Sequence, residues 1–317
     1  MSCRKTRRSV LLTTGLVLTG AFGGCSTGAP PDRQTSQRAV PPPTTQKPHN
    51  DRNPGDLYVI DIESRHIQRL TKDPRIDGAP SWSPDGQSIV FGRLEAGEDP
   101  VSGNSDIHII RADGSNDRNV TDDPATDQNG RYLPDGRRIV FSSNRSGNAD
   151  IYLAMLDGTA VQRLTDDPGE DRFPEPSGDG HIVFVSDRGG DSDLYVMAID
   201  GSAVTRLTSD PGLEMLPAVS PDGHTIAFTT ETNISLMDTS GTNRRVLAKA
   251  GNHPSWSPDG TSIAAVTKSP DGDFAIAIID ATTGTVTALT DDEADDFYPS
   301  WSPNGATIAF TSVGRIS

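Results

Sequence analysis

Short apolar runs of strand length recur along the chain, and turn residues separate them. One set consists of triplets that are mostly β-branched or aromatic, and they occupy residues 89–91, 139–141, 182–184, 226–228, 263–265 and 308–310. Runs of this composition, bounded by Gly, Pro, Asp and Ser, predict β-strands. The pattern therefore predicts an all-β chain built from many short strands.

A turn motif precedes each triplet. It reads Pro-Ser-Trp-Ser-Pro-Asp-Gly at residues 80–86, and its variants end at Gly136, Gly180, Gly223, Gly260 and Gly305. Proline presets φ for the second position of a tight turn, aspartate can bond to nearby backbone, and glycine can adopt a positive φ. The motif therefore predicts a hairpin between a strand that carries Trp82 or its counterpart and the strand of the triplet.

Two further strand patterns complete each repeat. A third strand, often Asp-Ile-Tyr or Asp-Leu-Tyr, begins at residues 56, 106, 150, 193, 233 and 274. A short fourth strand, often Arg-Leu-Thr, begins at residues 69, 119, 163, 206, 246 and 288. The turn glycines are 37 to 50 residues apart, which is close to the length of one four-stranded propeller blade. The repeats therefore predict a six-bladed β-propeller.

The two ends of the repeat region are incomplete in complementary ways. The region opens with a third and fourth strand at residues 56–70 and closes with a first and second strand at residues 299–311. Joining these pairs into one blade would close the ring and leave no large sheet edge unpaired. We therefore expect a split-blade closure and a propeller that spans residues 56–317.

The N-terminal region has the pattern of an export signal and a tether. Residues 1–24 contain a basic start, an uncharged and mostly apolar stretch, and small residues before Cys25. Phe22-Gly23-Gly24-Cys25 resembles a bacterial lipobox, so we expect Cys25 to carry lipid; a free cysteine after an ordinary signal peptide is the alternative. Arg7-Arg8 also fits a twin-arginine signal. The proline-rich residues 25–55 predict a disordered tether.

The charge of the chain restricts its partners. The sequence has 28 Lys and Arg against 44 Asp and Glu, a net charge of -16. Removal of the signal would take away positive charges only. Because nucleic acid would repel such a chain, we expect no nucleic-acid partner. We expect a monomer that is exported and lipid-anchored on the outer face of the cell membrane, or that lies in the periplasm or cell envelope.

The strand motifs together resemble the WD-like repeat of the TolB-type propeller family. Its signature comprises Pro-x-Trp-Ser-Pro-Asp-Gly, Ile-Ala-Phe, Asp-Ile-Tyr and Arg-Leu-Thr, and the resemblance covers about residues 56–312. TolB itself carries an N-terminal α/β domain and works beneath the outer membrane with a peptidoglycan-associated lipoprotein. Here a tether is expected in place of that domain, which does not favour a role in the Tol system.

The loops between consecutive blades are expected to form one mouth of the central channel. Acidic residues recur at one position of these loops, namely Asp77, Asp127, Asp171, Glu214 and Asp296. Two positions further on, four repeats have a large apolar residue, an aromatic residue or histidine: Phe173, Leu216, His253 and Tyr298. The acids could satisfy backbone groups of their own loops. They could instead form the acidic fringe of a partner-binding mouth.

The sequence offers no recognisable catalytic constellation. It has no Gly-x-Ser-x-Gly turn, no phosphate-binding glycine loop and no histidine pair at metal-binding spacing. Residues 186–193 contain three aspartates, but their spacing does not supply the six or more oxygens that Ca²⁺ requires, so we expect a plain turn. We therefore expect no catalytic residue, no cofactor and no metal site.

The expected function is binding of a protein or an envelope polymer at the channel mouth. The resemblance implies an alternative, because some TolB-like propellers are polysaccharide lyases in which several histidines hold an axial metal. His253 is the one histidine expected near that place. A third hypothesis is a structural domain within a larger envelope complex.

Lipidation of Cys25 can be tested by mass spectrometry. We expect intact protein extracted from membranes to begin at Cys25 and to carry added lipid mass, because the lipobox resemblance places cleavage before this residue. Cys25→Ser should release the protein from the membrane fraction. An unmodified Cys25 in the membrane extract would contradict this prediction.

Overall fold

The computed structural model describes residues 55–95, 103–231, 233–269, 272–291 and 294–314. Within these ranges the chain forms 24 β-strands and no helix, so it contains no helical segment that could cross a membrane. The expected signal, the tether and Cys25 lie outside the described residues, except that Gly55 is described.

The strands follow the repeat pattern of the sequence. The first twelve are β1 (Asp56–Asp61), β2 (Ile67–Arg69), β3 (Ile76–Trp82), β4 (Ser88–Leu94), β5 (Ser105–Arg111), β6 (Arg118–Asn119), β7 (Asp127–Tyr132), β8 (Arg138–Ser143), β9 (Asp150–Met155), β10 (Gln162–Arg163), β11 (Asp171–Pro176) and β12 (His181–Ser186). The others are β13 (Asp193–Ala198), β14 (Thr205–Arg206), β15 (Glu214–Val219), β16 (Thr225–Thr230), β17 (Asn233–Asp238), β18 (Arg245–Ala248), β19 (Gly251–Trp256), β20 (Ser262–Lys268), β21 (Phe274–Asp280), β22 (Val286–Ala288), β23 (Asp295–Trp301) and β24 (Thr307–Val313).

The strands form six antiparallel sheets of four strands each. Blades 1 to 5 use consecutive strands: β3 to β6, β7 to β10, β11 to β14, β15 to β18 and β19 to β22. Blade 6 has the order β2-β1-β24-β23. In this sheet β1 pairs with β24 over their full overlap, from Asp56 opposite Ser312 to Asp61 opposite Thr307. The predicted six-bladed propeller with split-blade closure is thus confirmed.

The Ser-Pro-Asp-Gly turns are held by a local hydrogen-bond network. In blade 1 the Ser83 hydroxyl donates to Asp85 Oδ1 at 2.6 Å and accepts the Ser88 backbone N–H at 3.0 Å. Gly86 has φ of +69°, and its N–H donates to the Ser83 carbonyl at 2.9 Å. Each motif residue therefore has its own role in reversing the chain between the first and second strands.

The third and fourth strands of a blade are joined by a second network. Arg163 Nη2 donates to Asp150 Oδ2 at 2.7 Å, and the Thr165 hydroxyl accepts the Ile151 N–H at 2.9 Å. These residues belong to blade 2. The same three residue types are arranged alike in blade 3, where Arg206 and Thr208 bond to Asp193. The Asp-Ile-Tyr and Arg-Leu-Thr motifs are therefore structural, because they fasten the short outer strand to its neighbour.

Apolar side chains of adjacent blades form the core between them. Val90 and Ile107 of blade 1 pack with Ile139 and Phe141 of blade 2, and all four are fully buried. Burial of each such side chain contributes about 1.5 to 3 kcal/mol. The tryptophan of the turn motif adds an inter-blade hydrogen bond, since Trp82 Nε1 of blade 1 donates to the Ser300 carbonyl of blade 6 at 3.1 Å.

The hairpin between the third and fourth strands fits closely against the preceding blade. Gly158 has φ of +80°, and a Cβ at this position would lie 2.4 Å from the Val120 carbonyl oxygen. Gly158→Ala should therefore lower the free energy of unfolding by about 2 to 4 kcal/mol, measured by denaturant unfolding. Gly180→Ala is the matched control, because Gly180 has φ of +87° but open space around it. Equal losses for both variants would contradict the close-contact argument.

Candidate functional site

The first strand of every blade lines the central channel. These inner strands are β3, β7, β11, β15, β19 and β23, and each contacts the inner strands of both neighbouring blades. The channel wall is therefore a ring of six equivalent strands, and residues at the same position of each strand face one another around the axis.

Each inner strand has a β-bulge at the same place. The bulge residue has a left-handed backbone, with φ between 52° and 57°, and the six bulge residues are Ala79, Asn129, Phe173, Leu216, His253 and Tyr298. None of them is glycine, so each conformation costs on the order of 1 to 2 kcal/mol. Proline follows in five blades, and it fits because the bulge interrupts the pairing that a backbone N–H would otherwise make.

The bulges surround a small pocket in the channel. Its volume is about 40 Å³, which is room for roughly three water molecules. All six bulge residues line it, together with the five prolines that follow them and with Arg131 and Glu175. The bulge residues are the third or fourth residues of their strands. The pocket therefore lies within the channel and not at the rim where the inner strands begin.

Two lining residues form an ion pair between neighbouring blades. Arg131 Nε donates to Glu175 Oε2 at 3.1 Å, and Arg131 Nη1 donates to the Gly130 carbonyl at 3.1 Å. Both side chains remain partly exposed. Burial raises the pKa of the Glu175 carboxyl, and the positive charge of Arg131 opposes that rise. The pair gives the pocket one cation and one anion.

His253 is the second polar feature of the pocket. Its side chain is 7% exposed, and its Nδ1 lies 2.7 Å from Asn252 Oδ1. Because a carboxamide oxygen only accepts hydrogen bonds, Nδ1 carries the hydrogen. Nε2 is therefore an acceptor, and it has no hydrogen-bond partner in the structure. An unpartnered polar atom at such a depth calls for an explanation.

The surroundings keep His253 neutral. Burial, assisted by the positive charge of Arg131, lowers the pKa of His253 to about 3. The Tyr298 ring stands edge-on to the imidazole, with 4.3 Å between ring centroids. Burial raises the pKa of the Tyr298 phenol well above its usual range. Near pH 7 the pocket thus contains a neutral imidazole and a protonated phenol.

The prediction that five acidic residues form an exposed fringe at the channel mouth is wrong. Asp77, Asp127, Asp171, Glu214 and Asp296 are all 2% exposed or less. Asp171 Oδ2 accepts a 2.6 Å hydrogen bond from Arg188, whose guanidinium lies over the Phe184 and Tyr195 rings. Arg93, Arg145 and Arg244 bind Asp77, Asp127 and Glu214 in the same way. Arginine side chains thus compensate the charge of four of the five buried carboxylates, Asp77, Asp127, Asp171 and Glu214.

The other four candidates are brought together. Phe173, Leu216, His253 and Tyr298 all line the pocket. Sequence reasoning missed Arg131 and Glu175, which lie two residues after the bulge residue of their strands. The signal was present, because the other four repeats have Ser or Ala at that position. A charged residue at a position where the repeat otherwise has a small one was the clue.

The aspartate-rich turn at residues 186–193 makes only structural contacts among those observed. Asp187 Oδ1 accepts the Glu170 N–H at 2.7 Å, and Asp193 binds Arg206. In the described part of the chain, no three His, Cys, Asp or Glu side chains are grouped so that they could hold a metal ion.

The buried carboxylates should matter for stability. Asp171→Ala removes the main partner of Arg188, so we expect a loss of about 2 to 4 kcal/mol in the free energy of unfolding at pH 7. Asp166→Ala is the control, since Asp166 is exposed on the neighbouring loop and should change stability by less than about 0.5 kcal/mol. A negligible effect of Asp171→Ala on unfolding would contradict the structural role.

The depressed pKa of His253 has a defined effect on stability. Because the folded pKa of about 3 lies below the unfolded value, the stability linked to neutral His253 is complete above pH 6.5 and is lost as pH falls towards 3. Relative to His253→Phe, the wild type should lose about 1.4 kcal/mol per pH unit in that window. Its imidazole resonances should not titrate between pH 8 and 5. Titration of His253 near pH 6.5 would contradict this prediction.

Comparisons with known proteins agree with the fold. The family model described as "TolB beta propeller domain" matches residues 134–263. A putative TolB from Agrobacterium tumefaciens is 22% identical with a TM-score of 0.69, over 83% of this chain and 99% of that one. TolB from Acinetobacter baumannii is 19% identical with a TM-score of 0.58, over 81% of this chain and 63% of that one.

An oligogalacturonate lyase from Vibrio parahaemolyticus is also similar, with 14% identity and a TM-score of 0.54 over 83% of this chain and 98% of that one. The search of curated proteins gave no match. At these levels of identity the solved structures show a shared fold and no shared activity. The family match over residues 134–263 and the six closed blades agree on a TolB-like β-propeller fold.

Proposed function

We propose that this chain is a non-catalytic cell-envelope lipoprotein whose propeller binds a partner protein by admitting one of its side chains into the channel pocket. The observation that carries the proposal is the channel pocket itself, which the six bulge residues line together with the ion pair of Arg131 and Glu175. Its apolar walls and few charged groups can receive a side chain from a second molecule.

The pocket is small. Its volume of about 40 Å³, room for roughly three water molecules, suits the tip of a single side chain. The similarity to TolB, which works with a lipoprotein of the envelope, supports a protein partner as well.

The wall is suited to holding a side chain in place. Phe173 and Leu216 supply apolar surface, and five prolines stiffen the backbone behind it. Because the bulge conformations are fixed by the ring, little conformational entropy is lost when a ligand enters. Binding sites in proteins commonly combine such apolar walls with a few fixed polar groups.

The N-terminal region would place this pocket at a membrane. We propose that lipid on Cys25 anchors the chain and that residues 25–55 serve as a tether between the anchor and a propeller that spans residues 56–317. The tether would let the propeller reach a partner that is anchored elsewhere in the envelope.

A substitution that fills the pocket with a larger side chain tests the proposal. Ala79→Phe adds an aromatic ring to the channel without new backbone strain, because Phe173 and Tyr298 have the same φ at the equivalent position. We expect this variant to retain its melting temperature and to reduce, by at least about tenfold, the protein recovered by cross-linking and affinity capture from native membranes. The captured protein should be the same one that wild type recovers.

Ala160→Phe is the matched control. Ala160 also has a left-handed backbone, with φ of 53°, but it is exposed on the turn between β9 and β10, the third and fourth strands of blade 2. Capture by this variant should equal that by wild type. Equal capture by Ala79→Phe, or recovery of a polysaccharide without a protein, would overturn the proposal.

A further inference from the structure

We propose that the partner side chain that enters the channel pocket is a lysine, and that Glu175 binds its ammonium group. This inference rests on the proposed function, because it specifies which part of the partner occupies the pocket. It makes Glu175 the residue that determines the specificity of the pocket.

Glu175 has one oxygen that is available to a ligand. Its Oε2 accepts the 3.1 Å hydrogen bond from Arg131 Nε, whereas its Oε1 makes no hydrogen bond to the residues that the structure describes. The side chain is 23% exposed and lines the pocket. Oε1 is not one of the buried polar atoms that lack a partner, so it keeps surface that a ligand can contact. An ionised carboxylate has about four acceptor positions, and Arg131 fills one of them.

The negative charge of Glu175 is only partly compensated. Arg131 is its only ion-pair partner among the described residues. Burial raises the pKa of the Glu175 carboxyl even though the charge of Arg131 opposes that rise, so a second cation at Oε1 would stabilise the ionised form. Arg131 does not occupy this place, because its observed contacts are with Oε2 and with the Gly130 carbonyl.

The charge of the whole propeller favours a cation as well. Residues 55–317 contain 20 Lys and Arg against 42 Asp and Glu. The negative potential of such a domain raises the local concentration of cations. A carboxylate tip would instead bury a second negative charge beside Glu175, and a neutral tip would gain nothing from the field.

The size and the lining of the pocket favour lysine among the cationic side chains. A volume of about 40 Å³ has room for an ammonium group with part of its stem. A guanidinium is a broader planar group and needs more space. Phe173 and Leu216 line the same pocket and can contact the methylene groups of a lysine stem.

Small probes of each kind of tip can be compared on the whole chain. Methylammonium chloride, sodium acetate and acetamide are titrated at pH 7.5 and constant ionic strength. NMR follows the Leu216 methyl and Asn129 side-chain amide resonances, because both residues line the pocket. We expect saturable shifts with methylammonium at a dissociation constant in the millimolar range, and at least about tenfold weaker binding of the other two probes. Acetate or acetamide binding that is as tight, or no saturable shift with methylammonium, would overturn the inference.

Two variants assign the effect to Glu175. Glu175→Gln keeps the size of the side chain and removes its charge, so methylammonium should bind at least about tenfold more weakly. Glu231→Gln is the matched control, because it removes the same charge from an exposed residue in the turn between β16 and β17. This control should bind as wild type does. Equal affinities of the two variants would contradict a specific site at Glu175.

The wild type provides a second test that does not depend on the folding of a variant. The other titratable residues that line the pocket are Arg131, His253 and Tyr298. His253 and Tyr298 stay neutral between pH 4.5 and 7.5. Because the folded pKa of Glu175 lies above its ordinary value of 4.5, at least half of the carboxyl is protonated at pH 4.5. Methylammonium affinity there should be at most about half of that at pH 7.5, and equal affinity at both pH values would refute the role of Glu175.

Competition with capture distinguishes a lysine of the partner from a free amine. Methylammonium chloride should reduce recovery of the partner from native membranes more than sodium chloride of equal ionic strength does. If methylammonium binds the pocket but does not compete, the site takes a free amine and the assignment to a partner lysine is wrong.

Failure of this inference is separable from failure of the proposed function. If Ala79→Phe abolishes capture but methylammonium does not bind, the channel binds a protein through a different tip, and only the inference fails. If methylammonium binds through Glu175 but no captured protein depends on an open channel, the pocket is an amine site and the proposed function fails.

Discussion

The pairing of β1 with β24 is the interaction on which the rest of the structure depends. It joins a strand near the start of the described chain to the last strand, with six residue pairs in register. Only a closed ring places six inner strands around one axis. Without this pairing blade 6 would split, Trp82 of blade 1 would lose its acceptor on Ser300, and the channel would open on one side. The pocket is therefore a product of closure as much as of its lining residues.

The propeller contains two kinds of polar network. One is structural: buried carboxylates bind arginines that lie over aromatic rings, and the outer strands are fastened by Asp, Arg and Thr. The other is confined to the channel, where Arg131, Glu175 and His253 lie on the bulges or two residues beyond them. The first network is repeated from blade to blade, and Asp77, Asp127, Asp171 and Glu214 each bind an arginine. The second is not repeated, and it leaves His253 Nε2 without a partner.

Local turn chemistry made the fold predictable from the sequence. Ser83, Asp85 and Gly86 form hydrogen bonds with one another within one turn, so a short motif is enough to predict the hairpin. The recurrence of the motif then predicts the blades. The acidic residues were placed wrongly because their partners are distant in sequence. Arg188 lies 17 residues from Asp171, and Arg244 lies 30 residues from Glu214. The Arg131 and Glu175 pair, 44 residues apart, joins equivalent positions of adjacent blades, which only an alignment of the repeats by strand register would bring together.

The lining of the channel also determines how a bound molecule can be oriented about the axis. Six identical bulge residues would offer six equal rotational settings. Here Ala79 leaves a gap on one side, Arg131 and Glu175 place a dipole on the adjacent sector, and His253 with Tyr298 occupies the sector across the ring. The backbone of the channel thus has approximate sixfold symmetry, but its side chains do not. A docked partner would therefore bind in one rotational orientation about the channel axis.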